Sequence, residues 1–420
     1  MIRTTPARGP IYLLTGRPST STLGLVVTVS GFAEQGFGSI ADEFRRNFRE
    51  RNELGAACAV MVDGVPVVDL WGGHCDRGRT RPWIEDTLVT VFSTTKGMAA
   101  AALAVAHSRG LFDLEAPVAR YWPEFGRSGK ASVTVRQLLA HQAGLPILDA
   151  RLDVETLADP RRLATVLAAQ TPMWTPGTVH GYHPMTLGWY ESELLRRVDP
   201  DGRRLGRFFS DSVAAPLGVE FHLGLPPDVS PERLSDVVGG GRVRHAIHAR
   251  ETPWPLLKRM INPTSATFKA FTALKGATRL ADLNDRRFLE LELPSVNGTG
   301  TARAVAAVYG DLATGGHRLG LTADTVSELE RQVRPGVDQI FGYDSAFSMG
   351  FTKPYPRLSF GSSPRAYGHS GAGGSFGFAD PDTGVGYAYV MNRTGFTVPT
   401  DPRETALRTG LAKALGRALM

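Results

Sequence analysis

Two strand-turn-strand patterns lie near opposite ends of this 420-residue chain, and a long helix-rich stretch separates them. In GAACAVMVDGVPVVDLWGG, two apolar runs flank Asp63-Gly64, a dipeptide typical of tight hairpin turns. In GFADPDTGVGYAYVM, two alternating runs flank Asp-Pro-Asp-Thr-Gly, which also predicts a hairpin. The terminal portions therefore look like one sheet packed with helices and built from both chain ends.

The middle of the chain has a different texture. Helical patterns such as TVRQLLAHQAG and PMTLGWYESELLRRV alternate with loops rich in proline and glycine. We predict an α/β (α+β) fold with three parts, an N-terminal extension over 1–34, an α/β domain over 35–111 and 286–420, and a helical domain over 112–285. At the start of the α/β domain, Ile40, Phe44 and Phe48 share one face of a predicted helix.

The charge and the cysteines exclude several function classes. The formal net charge is +6 and the pI is about 9.4, but the arginines are scattered and form no long basic run. We therefore expect no nucleic-acid partner. Cys58 and Cys75 are the only cysteines, and their spacing fits neither a disulfide framework nor a C-x-x-C site. Two reduced thiols favour a cytoplasmic protein.

No stretch approaches the ~18 apolar residues of a membrane span, so we expect no membrane association. The first residues carry Arg3, Arg8 and Arg17, and LGLVVTVSGF follows them. This pattern faintly resembles a signal peptide, which leaves export open as the alternative to a cytoplasmic location. The apolar run is short and no small-residue cleavage site follows it, so an irregular extension is the favoured interpretation.

Two serines compete for the role of nucleophile in this chain. Ser375 lies in a full G-x-S-x-G match, the nucleophile-elbow pattern of α/β-hydrolases. That pattern requires a histidine further along the chain and a helix after the serine. His369 is the last histidine, and a hairpin follows Ser375. We therefore predict that Ser375 is structural.

Ser93-Thr94-Thr95-Lys96 is the only S-x-x-K in the chain, and it precedes an alanine-rich helix. Residues i and i+3 lie on one face of a helix, so the Ser93 hydroxyl and the Lys96 amine can meet. Burial lowers the pKa of a lysine, and a partly neutral lysine can take the proton of a serine nucleophile. The alternative interpretation is a capping serine beside a solvated lysine.

Tyr182 is a second candidate, because a tyrosine beside a cationic lysine can have a lowered pKa and relay protons. The alternative is an aromatic core residue. His180 and His183 form an H-x-x-H around Tyr182, but no acidic third ligand stands at a recognisable spacing. We expect no metal there, and none at His245 and His248.

Ser93-x-x-Lys96, Tyr182 and His369-Ser370-Gly371, in this order, resemble the serine β-lactamase-like superfamily. The nearest branch is the family VIII carboxylesterases, which are similar to class C β-lactamases. The stretches DTLVTVFSTTK, LLAHQAGLP and YHPMTLGWY agree, and the resemblance covers roughly residues 35–415. It implies an antiparallel sheet flanked by helices, built from both chain ends, with an inserted mainly helical domain.

The resemblance also implies roles for individual residues. Ser93 would be the nucleophile, Lys96 its base partner and Tyr182 the proton relay. The backbone N–H groups of Ser93 and Ala372 would form the oxyanion hole. His369, Ser370 and Gly371 would line the substrate, with His369 where β-lactamases carry a lysine. No cofactor is implied.

Two departures from the β-lactamase pattern bear on the substrate. Pro184 stands where class C enzymes have an asparagine that orients the acylamino side chain, and His369 is mostly neutral at pH 7 if unperturbed. Both changes suit a small neutral ester, so we predict a carboxylesterase with at most weak β-lactam hydrolysis. The alternatives are a β-lactamase or D,D-peptidase, and a non-catalytic binding protein on the same scaffold. The oligomeric state is not readable from the sequence.

Overall fold

A computed structural model describes residues 27–239, 254–277, 279–395 and 400–417 of the chain. Its main sheet is antiparallel and has the strand order β1-β3-β2-β11-β10-β9. These strands are β1 (Val29–Ala33), β2 (Gly55–Val62), β3 (Val65–Gly73), β9 (Tyr367–Ser370), β10 (Phe376–Asp380) and β11 (Val385–Met391). Strands from the two chain ends pair at the centre, where β2 lies beside β11. This confirms the predicted sheet built from both ends.

Both predicted hairpins are present. Val62 pairs with Val65 across the first turn, and Asp63 and Gly64 have φ values of 49° and 76°. Positive φ at both central residues is what a tight hairpin turn requires, and Asp and Gly tolerate it. In the second hairpin β10 pairs with β11 from Phe376 to Asp380. Local turn chemistry therefore placed these strands correctly.

The sheet begins inside the segment that the sequence analysis assigned to an extension. Val29–Ala33 pairs antiparallel with β3 as an edge strand, and Gly31 lies opposite Leu70. A Cβ atom on Gly31 would lie 1.9 Å from the Asp69 carbonyl oxygen, so glycine permits this close pairing. The rest of the extension, residues 1–26, lies outside the described residues.

Two shorter sheets complete the strands. One has the order β4-β6-β5, with β4 (Val89–Thr90), β5 (Phe221–His222) and β6 (Thr299–Gly300). The other pairs β7 (Val333–Val337) with β8 (Asp344–Phe347). The first small sheet leads directly to the start of α2, because β4 ends three residues before Ser93.

The described helices cover both faces of the main sheet and fill the middle of the chain. They are α1 (Gly38–Glu50), α2 (Thr94–Ser108), α3 (Val118–Tyr121), α4 (Val135–Leu139), α5 (Val154–Ala158), α6 (Pro160–Ala169), α7 (Thr186–Val198), α8 (Leu205–Phe209), α9 (Ala215–Leu217), α10 (Trp254–Ile261), α11 (Ala266–Phe271), α12 (Arg286–Glu290), α13 (Ala302–Ala313), α14 (Ala323–Glu330) and α15 (Pro402–Leu415). Helices α1 and α15 pack together on one face of the main sheet, and α13 packs on the other. On the predicted apolar face of α1, Ile40 and Phe44 are buried and Phe48 is half-buried.

Helix α2 is buried inside the fold along most of its length. Every residue from Thr94 to Ala106 is buried, because the helix lies among α7, α8 and β9. Its alanine-rich sequence permits this close packing on all sides. The first turn of α2 is consequently the point where the sheet meets the helical region. No helix within the described ranges is long and apolar enough to cross a membrane.

Candidate active site

Ser93 is the N-cap residue of α2, and its side chain makes no capping hydrogen bond. It is half-buried, whereas the helix behind it is fully buried. The preceding residue, Phe92, has a φ of 50°, an uncommon conformation for a bulky residue. Such strained residues cluster at functional sites. The serine hydroxyl therefore does not cap the helix and is not consumed by the backbone.

Lys96 contacts Ser93 from one turn further along α2. The Lys96 side chain is fully buried, and its Nζ lies 3.2 Å from Ser93 Oγ. Nζ also donates hydrogen bonds to the carbonyl oxygens of Pro184 at 2.7 Å and Ser295 at 2.9 Å. Burial lowers the pKa of Lys96 to about 7. The alternative of a solvated lysine is thus wrong, and a large neutral fraction exists near pH 7.

Tyr182 lies beside the same hydroxyl. Its ring centroid is 4.9 Å from Lys96 Nζ, and its phenol is close enough to the Ser93 side chain to be stabilised by it. The expectation of a lowered tyrosine pKa is wrong, because burial raises the pKa of Tyr182 above its ordinary value and outweighs its favourable contacts. At neutral pH this residue is therefore a phenol that can donate a proton.

A buried carboxylate that the sequence analysis did not single out holds Tyr182 in place. Asp338 is fully buried and accepts hydrogen bonds from the backbone N–H of Tyr182 at 2.9 and 3.1 Å. It also accepts from Ile340 N–H and from the Ser345 hydroxyl, which contacts His180 Nε2 at 2.9 Å. Asp338 follows a short exposed strand without any motif, so no sequence signal marks it.

Two neutral histidines pack against the Tyr182 ring. His369, on β9, has its ring centroid 5.9 Å from that of Tyr182, and burial lowers the pKa of His369 to about 3. Its Nδ1–H donates to the Ser370 carbonyl oxygen, which leaves Nε2 as an acceptor. His141, at 5.1 Å from Tyr182, has a φ of 60° and accepts the backbone N–H of His183 at Nδ1. His141 lies in the LLAHQAGLP stretch, for which the sequence predicts no site residue.

The turn after β9 packs against the start of α2. Ser375 is buried and donates to the Val91 carbonyl oxygen at 2.6 Å, and its hydroxyl lies 3.0 Å from that of Thr94. A Cβ atom on Gly371 would lie 2.4 Å from the same Val91 oxygen, so only glycine fits. Ser375 continues into strand β10, as predicted, and connects two segments of the site.

Ala372 begins a single 3₁₀ turn in this same segment, directly after Gly371. Within the described ranges, neither the Ala372 N–H nor the Ser93 N–H donates to a backbone carbonyl. Both residues are half-buried rather than enclosed. The two donors are therefore available to an external oxygen atom.

The H-x-x-H residues are engaged in hydrogen bonds. His183 Nδ1 contacts the Gly181 carbonyl oxygen at 2.6 Å, and its Nε2 accepts from Leu145 N–H at 2.9 Å. Among the residues that the structure describes, no group of three or more histidine, cysteine, aspartate or glutamate side chains could hold a metal ion. His245 and His248 lie outside the described residues. Cys58 and Cys75 are both buried and unpaired.

The chain is similar over most of its length to esterases and to a penicillin-binding protein homolog. The model of the Beta-lactamase family matches residues 44–410. The esterase/beta-lactamase LipL of Mycobacterium tuberculosis is 36% identical over 378 residues, or 87% of this chain and 83% of that protein. The crystal structure of a family VIII carboxylesterase is 36% identical with a TM-score of 0.81, and the match covers 92% of this chain and 100% of that one. A penicillin-binding protein homolog from Caulobacter crescentus is 34% identical with a TM-score of 0.79 over the same shares.

Proposed function

This chain belongs to the β-lactamase family, and from that premise we propose that it is a serine carboxylesterase that hydrolyses short neutral esters through an acyl-serine. One observation carries the proposal. A buried lysine with a pKa of about 7 contacts the hydroxyl of a half-buried serine that makes no capping bond. That arrangement creates a nucleophile at neutral pH without a metal or cofactor.

In the first step, Ser93 Oγ forms a bond to the ester carbonyl carbon while its proton moves to Lys96 Nζ. The electron pair of the carbonyl double bond moves onto oxygen. The N–H groups of Ser93 and Ala372 donate to that oxyanion, helped by the positive end of the α2 dipole. Fixed donors of this kind stabilise charge where it develops, so they lower the barrier.

When the tetrahedral intermediate collapses, the bond to the alcohol oxygen breaks. The Tyr182 phenol gives its proton to the leaving alkoxide, and the Lys96 ammonium gives its proton to Tyr182. This returns both groups to their starting forms. In deacylation the neutral Lys96 accepts a proton from water, which attacks the acyl carbon, and Ser93 Oγ leaves with the proton that Tyr182 relays. The raised pKa of Tyr182 suits this role, because a phenol is needed as donor in each half-reaction.

A neutral substrate suits the surroundings of the serine better than a charged lactam does. His369 stands where β-lactamases carry a lysine, and its low pKa keeps it uncharged across the physiological range. Tyr182 stacks on Phe341 at 4.9 Å and lies 6.4 Å from Phe271, so apolar rings surround the relay. Weak hydrolysis of β-lactams is the second candidate, and it is favoured by the shared Ser-x-x-Lys chemistry and by the name of LipL.

The proposal is tested with a panel of p-nitrophenyl esters assayed beside nitrocefin, with Ser93→Ala as the control. We expect the butyrate ester to be hydrolysed much faster than nitrocefin, and neither by the Ser93→Ala protein. A wild-type enzyme that prefers nitrocefin would make the β-lactamase assignment correct instead. His369→Lys adds a cation at the site, so it should raise kcat/KM for a carboxylate-bearing cephalosporin relative to that for the ester.

A further inference from the structure

The mechanism proposed for Ser93, Lys96 and Tyr182 gives no role to one buried carboxyl beside the site. Glu191 lies in the middle of α7 and has no exposed surface. Neither of its carboxylate oxygens accepts a hydrogen bond from any group in the described part of the chain. On the same helix face, Leu187 and Leu194 are fully buried, as expected of core positions. A buried carboxyl without hydrogen bonds is costly, so its presence requires an explanation.

Glu191 lies against the helix that carries Lys96. A Cβ atom built on Gly350 would lie 2.8 Å from Ala100 Cβ and 3.5 Å from Glu191 Oε1, so these three groups meet. Ala100 is one turn beyond Lys96 on α2 and therefore shares its face. Helix α7 also begins two residues after Pro184, whose carbonyl oxygen accepts from Lys96 Nζ.

The charges around these two side chains are few. Within the described residues, the charge that shifts the pKa of the Glu191 carboxyl is that of Lys96, and the charge that shifts the pKa of Lys96 is that of Glu191. The other titratable groups that sense either of them are Tyr182, His141, His183 and His369, and burial keeps all four uncharged near neutral pH. The ionisation of the Lys96 amine therefore depends mainly on one other buried charged group, the Glu191 carboxyl.

We propose that Glu191 is a positioning residue that sets the pH at which Lys96 becomes a free base, through the charge–charge interaction between the two buried groups. The inference rests on the proposed roles of Ser93 and Lys96. Burial raises the pKa of Glu191 to about 8, close to that of Lys96. An ionised Glu191 stabilises the Lys96 ammonium and thereby raises the lysine pKa. The two protons are then lost in two coupled steps that belong to the pair.

The pH dependence of Ser93 reactivity tests this proposal. In the wild type, the rate at which a fluorophosphonate labels Ser93 should rise over a broad range that spans two ionisations. Glu191→Gln removes the acidic partner, so its profile should follow one ionisation with a midpoint about half to one pH unit lower. Glu193→Gln is the matched control, because Glu193 lies on the same helix but pairs with Arg196. Its profile should match that of the wild type.

A second variant keeps the proposal testable if Glu191→Gln does not fold. Glu191→Met replaces the carboxyl with an apolar side chain of similar length and should give the same shift in the labelling profile. It should also raise the Tm, since burying an unpartnered carboxyl is unfavourable. The folded-state pKa of Glu191 lies above its unfolded value, so the carboxyl costs stability as pH rises above about 5. The gain in Tm should therefore increase between about pH 5 and pH 8.

Labelling separates this inference from the proposed function, because a fluorophosphonate reports on Ser93 whatever the natural substrate is. Shifted profiles without ester hydrolysis would support the inference and overturn the esterase assignment. Superimposed profiles of wild type and folded Glu191→Gln would overturn the inference alone. Loss of folding in both Glu191 variants would also overturn it, since the carboxyl would then be structural. A wild-type Ser93 that is not labelled at any pH would refute both.

Discussion

At the scale of single residues, two serines that are far apart in sequence make different contacts at the site. Ser93 faces Lys96 and Tyr182, whereas Ser375 faces the backbone of the nucleophile turn. The serine of the G-x-S-x-G match therefore has a structural role, because it holds the backbone just before Ser93. Its hydroxyl is buried and already committed to the Val91 carbonyl oxygen.

Ser93→Ala should lower kcat/KM for p-nitrophenyl butyrate by at least about 10⁴-fold, because no other nucleophile is in place. Ser375→Ala should keep kcat/KM within about tenfold of wild type. It should lower the free energy of unfolding by about 1 kcal/mol, since the Val91 carbonyl oxygen loses one of its two donors and keeps the Thr94 N–H. Mass spectrometry should locate a phosphonate adduct on Ser93. An inactive but folded Ser375→Ala protein would contradict this division.

Lys96→Ala and Tyr182→Phe should each lower kcat by about 10²–10⁴-fold, and the double variant should lose little more than either single variant. The reason is that the two side chains contact one hydroxyl and exchange one proton, so they act as a unit. Steady-state kinetics of the four proteins measure the coupling. Losses that simply multiply would show that the two residues act independently.

At the scale of elements, turn chemistry and helix spacing predicted much of the architecture. Asp63-Gly64 indicated the first hairpin because only a few residues tolerate positive φ at both turn positions. The i, i+3 spacing of Ser93 and Lys96 indicated their contact because helix geometry is local. Asp338 could not be predicted in this way, since its partner, Tyr182, is brought to it by tertiary packing alone. The direction of the Tyr182 pKa shift likewise depends on burial, which the sequence does not state.

The loop between β7 and β8 should matter for catalysis although it contacts no substrate. Asp338→Ala would leave the buried N–H groups of Tyr182 and Ile340 without an acceptor, so we expect a loss of about 3 kcal/mol in the free energy of unfolding. Displacement of the relay should lower kcat by about 10²-fold in the fraction that still folds. Asp344→Ala, at an exposed position nearby, is the control for denaturation and kinetics. If Asp338→Ala and Asp344→Ala had the same stability and the same kcat, Asp338 would not be needed to position Tyr182.

At the scale of the whole molecule, the C-terminal helix is bound to the site by a buried ionic network. Arg403, at the start of α15, donates to Glu53 at 2.8 Å, to Asp401 at 2.9 Å and to the Gly373 carbonyl oxygen at 3.0 Å. Tyr389 donates its hydroxyl to the same Glu53. Gly373 directly follows Ala372, so the last helix stabilises the turn that carries the proposed second oxyanion donor.

Arg403→Ala should lower the free energy of unfolding by about 3–5 kcal/mol, because it leaves the buried Glu53 and Asp401 carboxylates without their cation. Lys413→Ala, at an exposed position of the same helix, should have little effect. Urea denaturation measures both. If the purified Arg403→Ala protein kept wild-type stability, the network would not hold the helix to the site.

The central pairing of β2 with β11 dictates when activity can arise during synthesis. Val62 pairs with Val385, so the ribosome must add roughly 320 residues after β2 before its partner exists. At about 5–20 residues per second, this takes tens of seconds. His369 and Ala372 are translated shortly before β11, long after Ser93 and Lys96. A nascent chain therefore carries Ser93 and Lys96 early but has no assembled site, and products of premature termination upstream of β9 lack His369 and Ala372.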